Sequence, residues 1–522
     1  MKLFRALLCA AILLTVVPRH GLIARGQQGS SAPPPIRVTS NLVFLDVTVL
    51  DKNSRPVVNG LRKDDFTITE DNKPQPIFSF EPPETHVTGA AAKEGANGKS
   101  PVTIFVLDLL NSSSDDFSYM REKVRGFLMA QPAQLASPTE LIVINNESLE
   151  MLQGYTRSRA DLLYALNHLP TEQPYKYANR LLTERFYQSL YALQEVALQS
   201  KGVPGRKNII WLGRGAPNVL LGRLDYDHTL LSALKQYVHS TTNMLVDARI
   251  SLFVIYPDLR VADVWSPAVE QAEGLIRDED PFVGDINFGV FANETGGELF
   301  YGRNDVDREI EKSEQMGGEY YTLTYQPENV DPNGEFRRIR VTLRNPNLRA
   351  VTKAGYFAPD KKSPVDQQQQ NRITLAEAVQ STIPFDALAV RLLDVVKHPD
   401  SRTAEFIVEL KSKNLTFQPT DDGKEGANVT LVAASLDQYG DILASRVQWI
   451  TLKAPAQDPS LQPDGTWRID LTIRVPRKTK RVRVAIEDQD GGRIGSAVLD
   501  YKRIAAARET PTPKPLLVRR QG

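Results

Sequence analysis

The spacing of apolar positions changes several times along this chain, and the changes divide it into segments. Residues 36–85 alternate apolar and polar positions between short polar turns, which is typical of half-buried strands. Residues 101–316 instead contain continuous apolar runs separated by stretches with helical spacing. Alternation returns in residues 317–358 and again in residues 383–503. The pattern therefore predicts an α/β region with β-rich regions on both sides of it.

Apolar runs without alternation indicate strands that are buried on both faces, as in a parallel sheet covered by crossover helices. The predicted strands are residues 103–107, 140–145, 208–212, 250–256 and 298–301, and the predicted helices are residues 115–131, 180–200, 227–247 and 305–315. We therefore expect the fold class α/β plus β, with a mostly parallel sheet flanked by β-sandwich domains.

The N-terminal β segment is too short to form a core alone, because a unit of about 50 residues buries too little apolar surface. Residues 317–358 supply three further strands directly after the α/β region. We therefore expect these two segments to form one β-sandwich into which the α/β region is inserted. Beyond it we expect a linker at residues 359–382, a C-terminal β-sandwich at residues 383–503 and a disordered tail at residues 504–522.

The first 26 residues have the pattern of a signal peptide. Lys2 and Arg5 precede the apolar residues 6–17, which are too few to span a membrane. The alternative is an N-terminal membrane anchor. Cys9, the only cysteine, lies inside this segment, so the processed chain would carry no thiol. We expect an exported protein, periplasmic, extracellular or at the cell surface of a bacterium, with no transmembrane segment after processing.

Charge and motif content argue against several classes of function. Lys plus Arg and Asp plus Glu both total 63, and no long basic stripe is present, so nucleic acid is not an expected partner. Gly98-Lys99-Ser100 resembles the end of a phosphate-binding loop, but Lys93 stands where that motif requires its first glycine. The chain contains no Gly-x-Ser-x-Gly and no His-Glu-x-x-His motif. We therefore do not expect an enzyme.

Six segments follow one another in a specific order and spacing: residues 47–51 (VTVLD), 61–66 (LRKDDF), 105–112 (FVLDLLNS), 205–211 (GRKNIIW), 295–300 (TGGELF) and 320–327 (YYTLTYQP). In this arrangement the chain resembles the von Willebrand factor type A-related proteins described from Acidobacteria. The resemblance covers about residues 36–358 and leaves out the C-terminal β region. It implies a doubly wound α/β domain that in better-studied relatives binds proteins, often through a metal ion at the top of the sheet.

The candidate site lies where the first predicted strand of the α/β region ends. Ligands of such sheets bind at the carboxyl ends of the strands, and Asp108 falls at that end. In metal-binding domains of the fold that the resemblance implies, the first loop reads Asp-x-Ser-x-Ser, a second loop supplies a threonine, and a third supplies an aspartate just after a central strand. Asp108 and Ser112 match the outer positions of the first loop, Leu110 replaces its middle serine, and Thr183 is a possible second-loop ligand. Oxygen ligands of this kind suit Mg²⁺.

The third loop carries no carboxylate, because Gly213-Arg214-Gly215 follows the strand there. Three interpretations of Asp108 stay open. It binds a divalent cation with Ser112 and Thr183, it pairs with the Arg214 guanidinium or with water, or it caps the following helix. The incomplete ligand set makes Mg²⁺ the minor alternative, and no other cofactor is expected. The predicted binding residues are Asp108, Asn111, Ser112 and Arg214.

These expectations together indicate an exported protein-binding or adhesion module of the bacterial cell envelope, non-catalytic and with a degenerate metal-ion site. The expected partner is an envelope or extracellular protein. One alternative is an exported hydrolase that uses Asp108 with a metal ion. Another is a purely structural role in envelope assembly, which differs from the first interpretation only in its partner.

Overall fold

The computed structural model describes most of the chain between residues 42 and 510. The described ranges are residues 42–86, 100–145, 149–169, 182–201, 203–217, 228–256, 281–282, 286, 288–302, 304–359, 375–376, 378–381, 383–385, 387–411, 415–419, 425–438, 440–453 and 465–510. The predicted signal peptide and residues 360–374 of the predicted linker lie outside these ranges. Within them, no helix is long and apolar enough to cross a membrane.

Four strands precede the α/β region: β1 (Val43–Leu50), β2 (Phe66–Glu70), β3 (Lys73–Gln75) and β4 (Ile77–Glu81). The α/β region then follows as β5 (Val102–Asp108), α1 (Ser114–Ala130), β6 (Gln134–Ile144), β7 (Leu149–Ser158), α2 (Arg159–Asn167), α3 (Leu182–Ser200), β8 (Lys207–Leu212), α4 (His228–Asp247), β9 (Ile250–Tyr256), α5 (Phe288–Glu294), β10 (Leu299–Tyr301) and α6 (Val306–Gly318).

The strands of the α/β region form one six-stranded sheet in the order β10-β9-β8-β5-β6-β7. All neighbours are parallel except β7, which runs antiparallel to β6. Successive residues of β5 point to opposite faces. Ile104 and Val106 pack with α3 and α4 on one face, and Phe105 and Leu107 pack with α1, α2 and α6 on the other. Helices on both faces explain why the central strands are apolar throughout.

The edge strand β7 and the helix α2 were not predicted. Most residues of β7 are only half-buried, so the strand lacks the continuous apolar run that marks its neighbours. The helix α2 is short, and its start is set by Ser158, whose side chain accepts a hydrogen bond from the Asp161 backbone N–H. Because β7 lies at the edge of the sheet, it lacks the continuous apolar run from which the other strands were predicted.

Four more strands follow the α/β region: β11 (Tyr321–Tyr325), β12 (Phe336–Leu343), β13 (Arg349–Val351) and β14 (Gly355–Phe357). They join the first four strands in two sheets, ordered β13-β1-β11-β4 and β14-β12-β2-β3. The register places Leu45 opposite Leu323 and Ile68 opposite Val341, both in antiparallel pairs. Apolar side chains of the two sheets share one core. The chain therefore leaves this pair of sheets after β4 and returns to it at β11.

The C-terminal region forms two further sheets that enclose a common core. Its strands are β15 (Val390–His398), β16 (Thr403–Lys411), β17 (Gln418–Pro419), β18 (Glu425–Leu436), β19 (Ile442–Lys453), β20 (Thr466–Arg474), β21 (Arg481–Asp488) and β22 (Arg493–Asp500). One sheet has the order β20-β16-β15 and the other β17-β18-β21-β22, with β19 paired to β18.

Two boundaries of this region differ from the prediction. The end of the expected linker is packed, because Leu375, Ala378 and Val379 are buried in a cluster with α3 and the C-terminal sheet. The start of the expected disordered tail is ordered: α7 (Tyr501–Ala505) follows β22, and β23 (Arg508–Glu509) pairs with β15. Polar composition suggested flexible chain at both places, whereas a few apolar side chains and backbone pairs anchor them.

Candidate functional site

Asp108 is the last residue of β5 and is fully buried. Its Oδ1 accepts hydrogen bonds from the Asn111 backbone N–H (2.8 Å) and side-chain Nδ2 (3.1 Å). Its Oδ2 accepts hydrogen bonds from Trp211 Nε1 (2.9 Å) and the Gly215 backbone N–H (2.9 Å). The carboxylate therefore joins the loop after β5 to the end of β8 and to the loop that follows β8.

Burial raises the pKa of Asp108, and the hydrogen bonds from Trp211, Asn111 and Gly215 act in the opposite direction. All of these partners are N–H donors, which favour the ionised carboxylate. A carboxylate offers about four lone-pair positions, so the donors among the described residues account for its hydrogen-bonding capacity. Asp108 therefore acts as an internal acceptor that fixes two loops.

The two glycines beside Arg214 allow this close approach. A Cβ atom on Gly213, which has a φ of +149°, would lie 2.4 Å from the Cβ of Asp108. A Cβ atom on Gly215, which has a φ of +72°, would lie 2.2 Å from the ring of Phe288. Any other residue at either position would collide with its neighbour and adopt a strained backbone. The Gly-x-Gly sequence thus brings a backbone N–H, not a side chain, to Asp108.

Arg214 does not pair with Asp108, so that part of the prediction is wrong. Its Nε and Nη2 donate to the Tyr256 hydroxyl at 3.1 and 2.7 Å, and its guanidinium carbon lies 5.1 Å from the centre of the Tyr256 ring. The prediction placed Arg214 where a family carboxylate would stand. The left-handed glycines on each side of Arg214 instead turn its side chain toward β9.

Helix capping by Asp108 is also wrong. The N-cap of α1 is Ser113, whose side chain accepts a hydrogen bond from the Asp116 backbone N–H at 3.1 Å. Asp108 lies five positions before that cap and bonds to the turn at Asn111 instead. Because Ser113 already satisfies one of the free N–H groups in the first turn of the helix, the carboxylate is not needed there.

Asn111 and Ser112 extend the site toward α3. Asn111 Nδ2 donates to Ser189 Oγ at 2.9 Å, and Asn111 Oδ1 accepts from Arg185 Nε at 3.2 Å. Arg185, which the sequence did not single out, is therefore joined to the Asp108 network through Asn111. Ser112 is buried beside Gly213, and its hydroxyl has no hydrogen-bond partner among the residues described.

The residues at this site do not fit a bound Mg²⁺ ion. Both oxygens of Asp108 already accept N–H groups, which a cation would have to displace. Thr183 belongs to the first turn of α3, but the position of its side chain is outside the described part of the chain. Across the described ranges no three His, Cys, Asp or Glu side chains are grouped so that they could hold a metal ion. The geometry around Asp108 therefore supports no chemical step through an ion.

Two sequence signals could have revealed this network earlier. Trp211 lies in a strand that is buried on both faces, so its indole N–H requires an acceptor inside the protein. Asp108 is the acceptor that the neighbouring strand supplies. The paired glycines after β8 were a second sign of close backbone approach. Arg185 and Tyr256 had no comparable signal.

Comparisons with known proteins give little further guidance. No protein-family model matches the chain, and no curated protein matches it in sequence. Among solved structures, proximal thread matrix protein 1 from the mussel byssus is 9% identical over 44% of this chain and 48% of that one, with a TM-score of 0.26. A second crystal form of that protein gives 10% identity over 30% and 37%, with a TM-score of 0.21. The SpRpn10 VWA domain is 16% identical over 31% of this chain and 90% of that domain, with a TM-score of 0.18. The chain thus spans about half or less of the mussel protein and resembles a type A domain only weakly.

Proposed function

We propose that this chain is an exported protein-binding or adhesion module of the bacterial cell envelope, with no catalytic activity. In this proposal the α/β region is a doubly wound, von Willebrand factor type A-like domain inserted into a β-sandwich, and a second β-sandwich follows it. The observation that carries the proposal is the Asp108 carboxylate, whose hydrogen bonds hold two loops at the top of the sheet. Because the buried Asp108 carboxylate is bonded to both loops, it keeps the surface that these loops form rigid.

Beside that network, the half-buried Arg214 has the chemistry of a protein contact, and the Tyr256 side chain that holds it is 5% exposed. Arg214 and Tyr256 are stacked and hydrogen-bonded at the carboxyl ends of β8 and β9, and the Tyr301 ring lies 5.7 Å from that of Tyr256. Arginine and tyrosine contribute most strongly to protein interfaces when they are held rigidly. A guanidinium at this edge suits a carboxylate of the partner. The proposed partner is therefore an envelope or extracellular protein with an acidic contact residue.

Replacement of Arg214 tests this proposal. We expect Arg214→Ala to weaken saturable binding of the purified protein to its native envelope fraction by about tenfold or more, as for an interface residue worth over ~1.4 kcal/mol. The matched control is Arg344→Ala, which removes an exposed arginine with 72% of its side chain accessible, on the β-rich region. Equal binding by both variants and the wild type would contradict the proposed surface.

A metal-assisted hydrolase is the less supported alternative. It requires Asp108 to contact an ion or a substrate, whereas both carboxylate oxygens are held by N–H donors. Substrate turnover by the wild type that is lost in Asp108→Ala, with the fold retained, would favour this alternative. A structural role in envelope assembly would be indicated by a stoichiometric, lasting complex with an envelope component.

A further inference from the structure

One end of the C-terminal region carries a concentration of positive charge. At this end β15, β18, β20 and β22 finish, so it consists of the turns β15–β16, β18–β19 and β20–β21 together with α7. Arg481, at the start of β21, lies opposite both Leu436 of β18 and Asp500 of β22, so these pieces are neighbours in space. Eight of the described Lys and Arg residues form this surface, which we call the basic end: Arg402, Arg474, Arg477, Lys478, Lys480, Arg481, Lys502 and Arg503.

Backbone hydrogen bonds hold the pieces of the basic end together. The Val475 N–H donates to the Arg402 backbone oxygen at 2.7 Å. The Lys480 N–H donates to the Leu436 backbone oxygen, and the Tyr501 N–H donates to that of Lys480, both at 2.8 Å. Lys480 Nζ lies 5.7 Å from the centre of the Tyr501 ring. The cations of the turns and those of α7 therefore belong to one surface.

Five of these eight cations have no partner among the described residues. Their side chains are exposed, and none makes a hydrogen bond or an ion pair in the part of the chain that the structure describes: Arg402, Arg474, Arg477, Lys478 and Lys502. An external anion can therefore approach these groups without first breaking a contact within the described protein. Hydrogen bonds from ionised groups of this kind to phosphate oxygens are among the stronger ones that proteins form.

The acids near the basic end do not cancel its charge. Four aspartates lie on it: Asp400, Asp437, Asp441 and Asp500. Glu509 beside it pairs with Lys397 at 2.8 Å, so that pair adds no net charge. Glu405 lies 3.3 Å from His398. Even with Glu405 counted, eight cations face five acids, so the described part of the basic end is positive although the whole chain has no net charge.

An exposed aromatic side chain lies among these cations. Tyr501 is 50% exposed and begins α7, directly before Lys502. Tyrosine is enriched where a membrane meets water, because its ring is apolar and its hydroxyl is polar. The sequence that follows, residues 511–522, contains no acid, three further cations and an apolar run: Lys514, Arg519 and Arg520, and Leu516-Leu517-Val518. Basic and apolar residues are thus adjacent in sequence, as in segments that bind lipid headgroups.

We propose that the basic end binds the surface of a membrane that contains anionic phospholipids. Its lysines and arginines would face the lipid phosphates, and Tyr501 would lie at the level of the headgroups. The attraction between cations and an anionic leaflet adds up over neighbouring cations and decays within about one Debye length, so it requires a cluster on one surface. A soluble polyanion would match the charge but not the exposed apolar ring. This inference does not depend on the proposed function, because it concerns retention at a membrane and not the protein contact at Arg214.

The test measures binding to lipid vesicles by co-sedimentation. The protein is used as isolated from cells, so that any processing of its N-terminus is the same in every variant. We expect it to bind vesicles of about 30% phosphatidylglycerol in phosphatidylcholine at about 0.1 M salt, to be released at about 0.5 M salt, and not to bind phosphatidylcholine alone. The triple variant Arg477→Gln/Lys478→Gln/Lys502→Gln changes only exposed side chains, so it should fold normally. It should bind about a hundredfold more weakly, because each cation near the surface contributes roughly a factor of five.

The matched control is Lys52→Gln/Lys63→Gln/Lys73→Gln, which removes the same charge from exposed positions between β1 and β4. It should bind the vesicles like the wild type. Tyr501→Ser should weaken binding to the vesicles but not to soluble dextran sulfate. Equal vesicle affinity in the triple variant and the control would overturn the proposal. Binding of the wild type to dextran sulfate but not to the vesicles would overturn it as well, and would assign the basic end to a soluble polyanion.

Discussion

At the scale of single residues, the location of Asp108 was predicted from the sequence, but its hydrogen-bond partners were not. Its place at the end of a buried strand was predicted, and it is the residue around which the top of the sheet is organised. Its partners are a tryptophan on the neighbouring strand and backbone groups of two loops. The carboxylate therefore accepts its hydrogen bonds inside the protein. Arg214, the cation expected beside Asp108, instead contacts Tyr256, and Arg185 donates to Asn111.

The first prediction concerns the charge of this acceptor. Asp108→Asn keeps the shape of the side chain but turns one acceptor oxygen into an N–H₂ group. That group would face the N–H donors of Trp211 and Gly215 or of Asn111. We expect the free energy of unfolding to fall by about 2–4 kcal/mol, measured by urea denaturation, since buried donors lose their acceptor.

The same variant tests the ion interpretation. Because both carboxylate oxygens are occupied by N–H donors, millimolar Mg²⁺ should not change the melting temperature of the wild type through Asp108. A rise in the wild type that disappears in Asp108→Asn would contradict this arrangement and would restore the ion site.

At the scale of elements, the α/β sheet is fastened to the paired β sheets by two arginines, the buried Arg206 just before β8 and the half-buried Arg249 just before β9. Arg206 is 1% exposed and donates to Ser251 Oγ and Thr48 Oγ1, both at 2.9 Å. Arg249 Nε donates to Asp46 Oδ2 at 3.0 Å, and its Nη2 donates to Oδ1 of the same residue. Burial opposes ionisation of Asp46, but Arg249 outweighs it and the pKa of Asp46 is lowered.

The second prediction concerns this ion pair. Arg249→Met should leave the Asp46 carboxylate buried without its main partner and lower the free energy of unfolding by about 3–5 kcal/mol. The double variant Asp46→Asn/Arg249→Met should recover much of that loss, because no unpaired charge remains. As a control, Arg344→Met removes a largely exposed pair with Asp65 and should cost less than about 1 kcal/mol. A small loss in Arg249→Met, like that of the control, would show that the pair does not fasten the two units.

At the scale of the whole molecule, the C-terminal region packs on α3 of the α/β region. Leu198 of α3 shares a buried cluster with Phe385 and with Leu436 of the C-terminal sheet. Glu195, one turn earlier, is 1% exposed, with Ser381 and Arg483 close to its carboxyl group. Burial raises the pKa of Glu195 to about 7, against the opposing effects of these neighbours. The junction thus contains a titratable group.

The third prediction follows from that shift. Because the folded-state pKa of about 7 exceeds the ordinary value of 4.5, the native carboxyl keeps its proton where the unfolded chain has lost it. The free energy of unfolding should therefore fall as pH rises through this range, by on the order of 3 kcal/mol for Glu195. Glu195→Gln should remove the contribution of Glu195 to this pH dependence. The free energy of unfolding, measured by urea denaturation at pH values from about 5 to 8, should then change less with pH.

Other buried groups titrate in the same pH range. The test therefore compares the pH dependence of the free energy of unfolding between variants and the wild type. The pKa of Lys207 is lowered to about 7 by burial, and its effect on stability has the opposite sign. The exposed replacement Glu425→Gln is the control and should leave the profile unchanged. A profile of Glu195→Gln that matches the wild type would contradict the prediction.

The sequence alone determined which segments would become the buried strands. Runs of apolar residues predicted β5, β8 and β9, because a strand covered on both faces must be apolar at every position. Half-exposed β7 and the anchored end of the linker carried no such run, and they were missed. The pattern of apolar residues along the chain therefore predicts well which segments are buried. It predicts poorly which other segments they pack against.

Only the tertiary structure decided which groups meet. The Trp211 and Gly215 N–H groups that hold Asp108 come from 103 and 107 positions along the chain, and left-handed glycines turn Arg214 toward Tyr256. The lysines and arginines of the basic end come from three separate segments of the chain, and the pairing of β16 with β20 and of β21 with β22 brings them to one surface. The physical reason is that apolar periodicity follows from consecutive residues, whereas the pairing of a buried polar atom depends on the few distant groups that the fold brings within hydrogen-bonding distance.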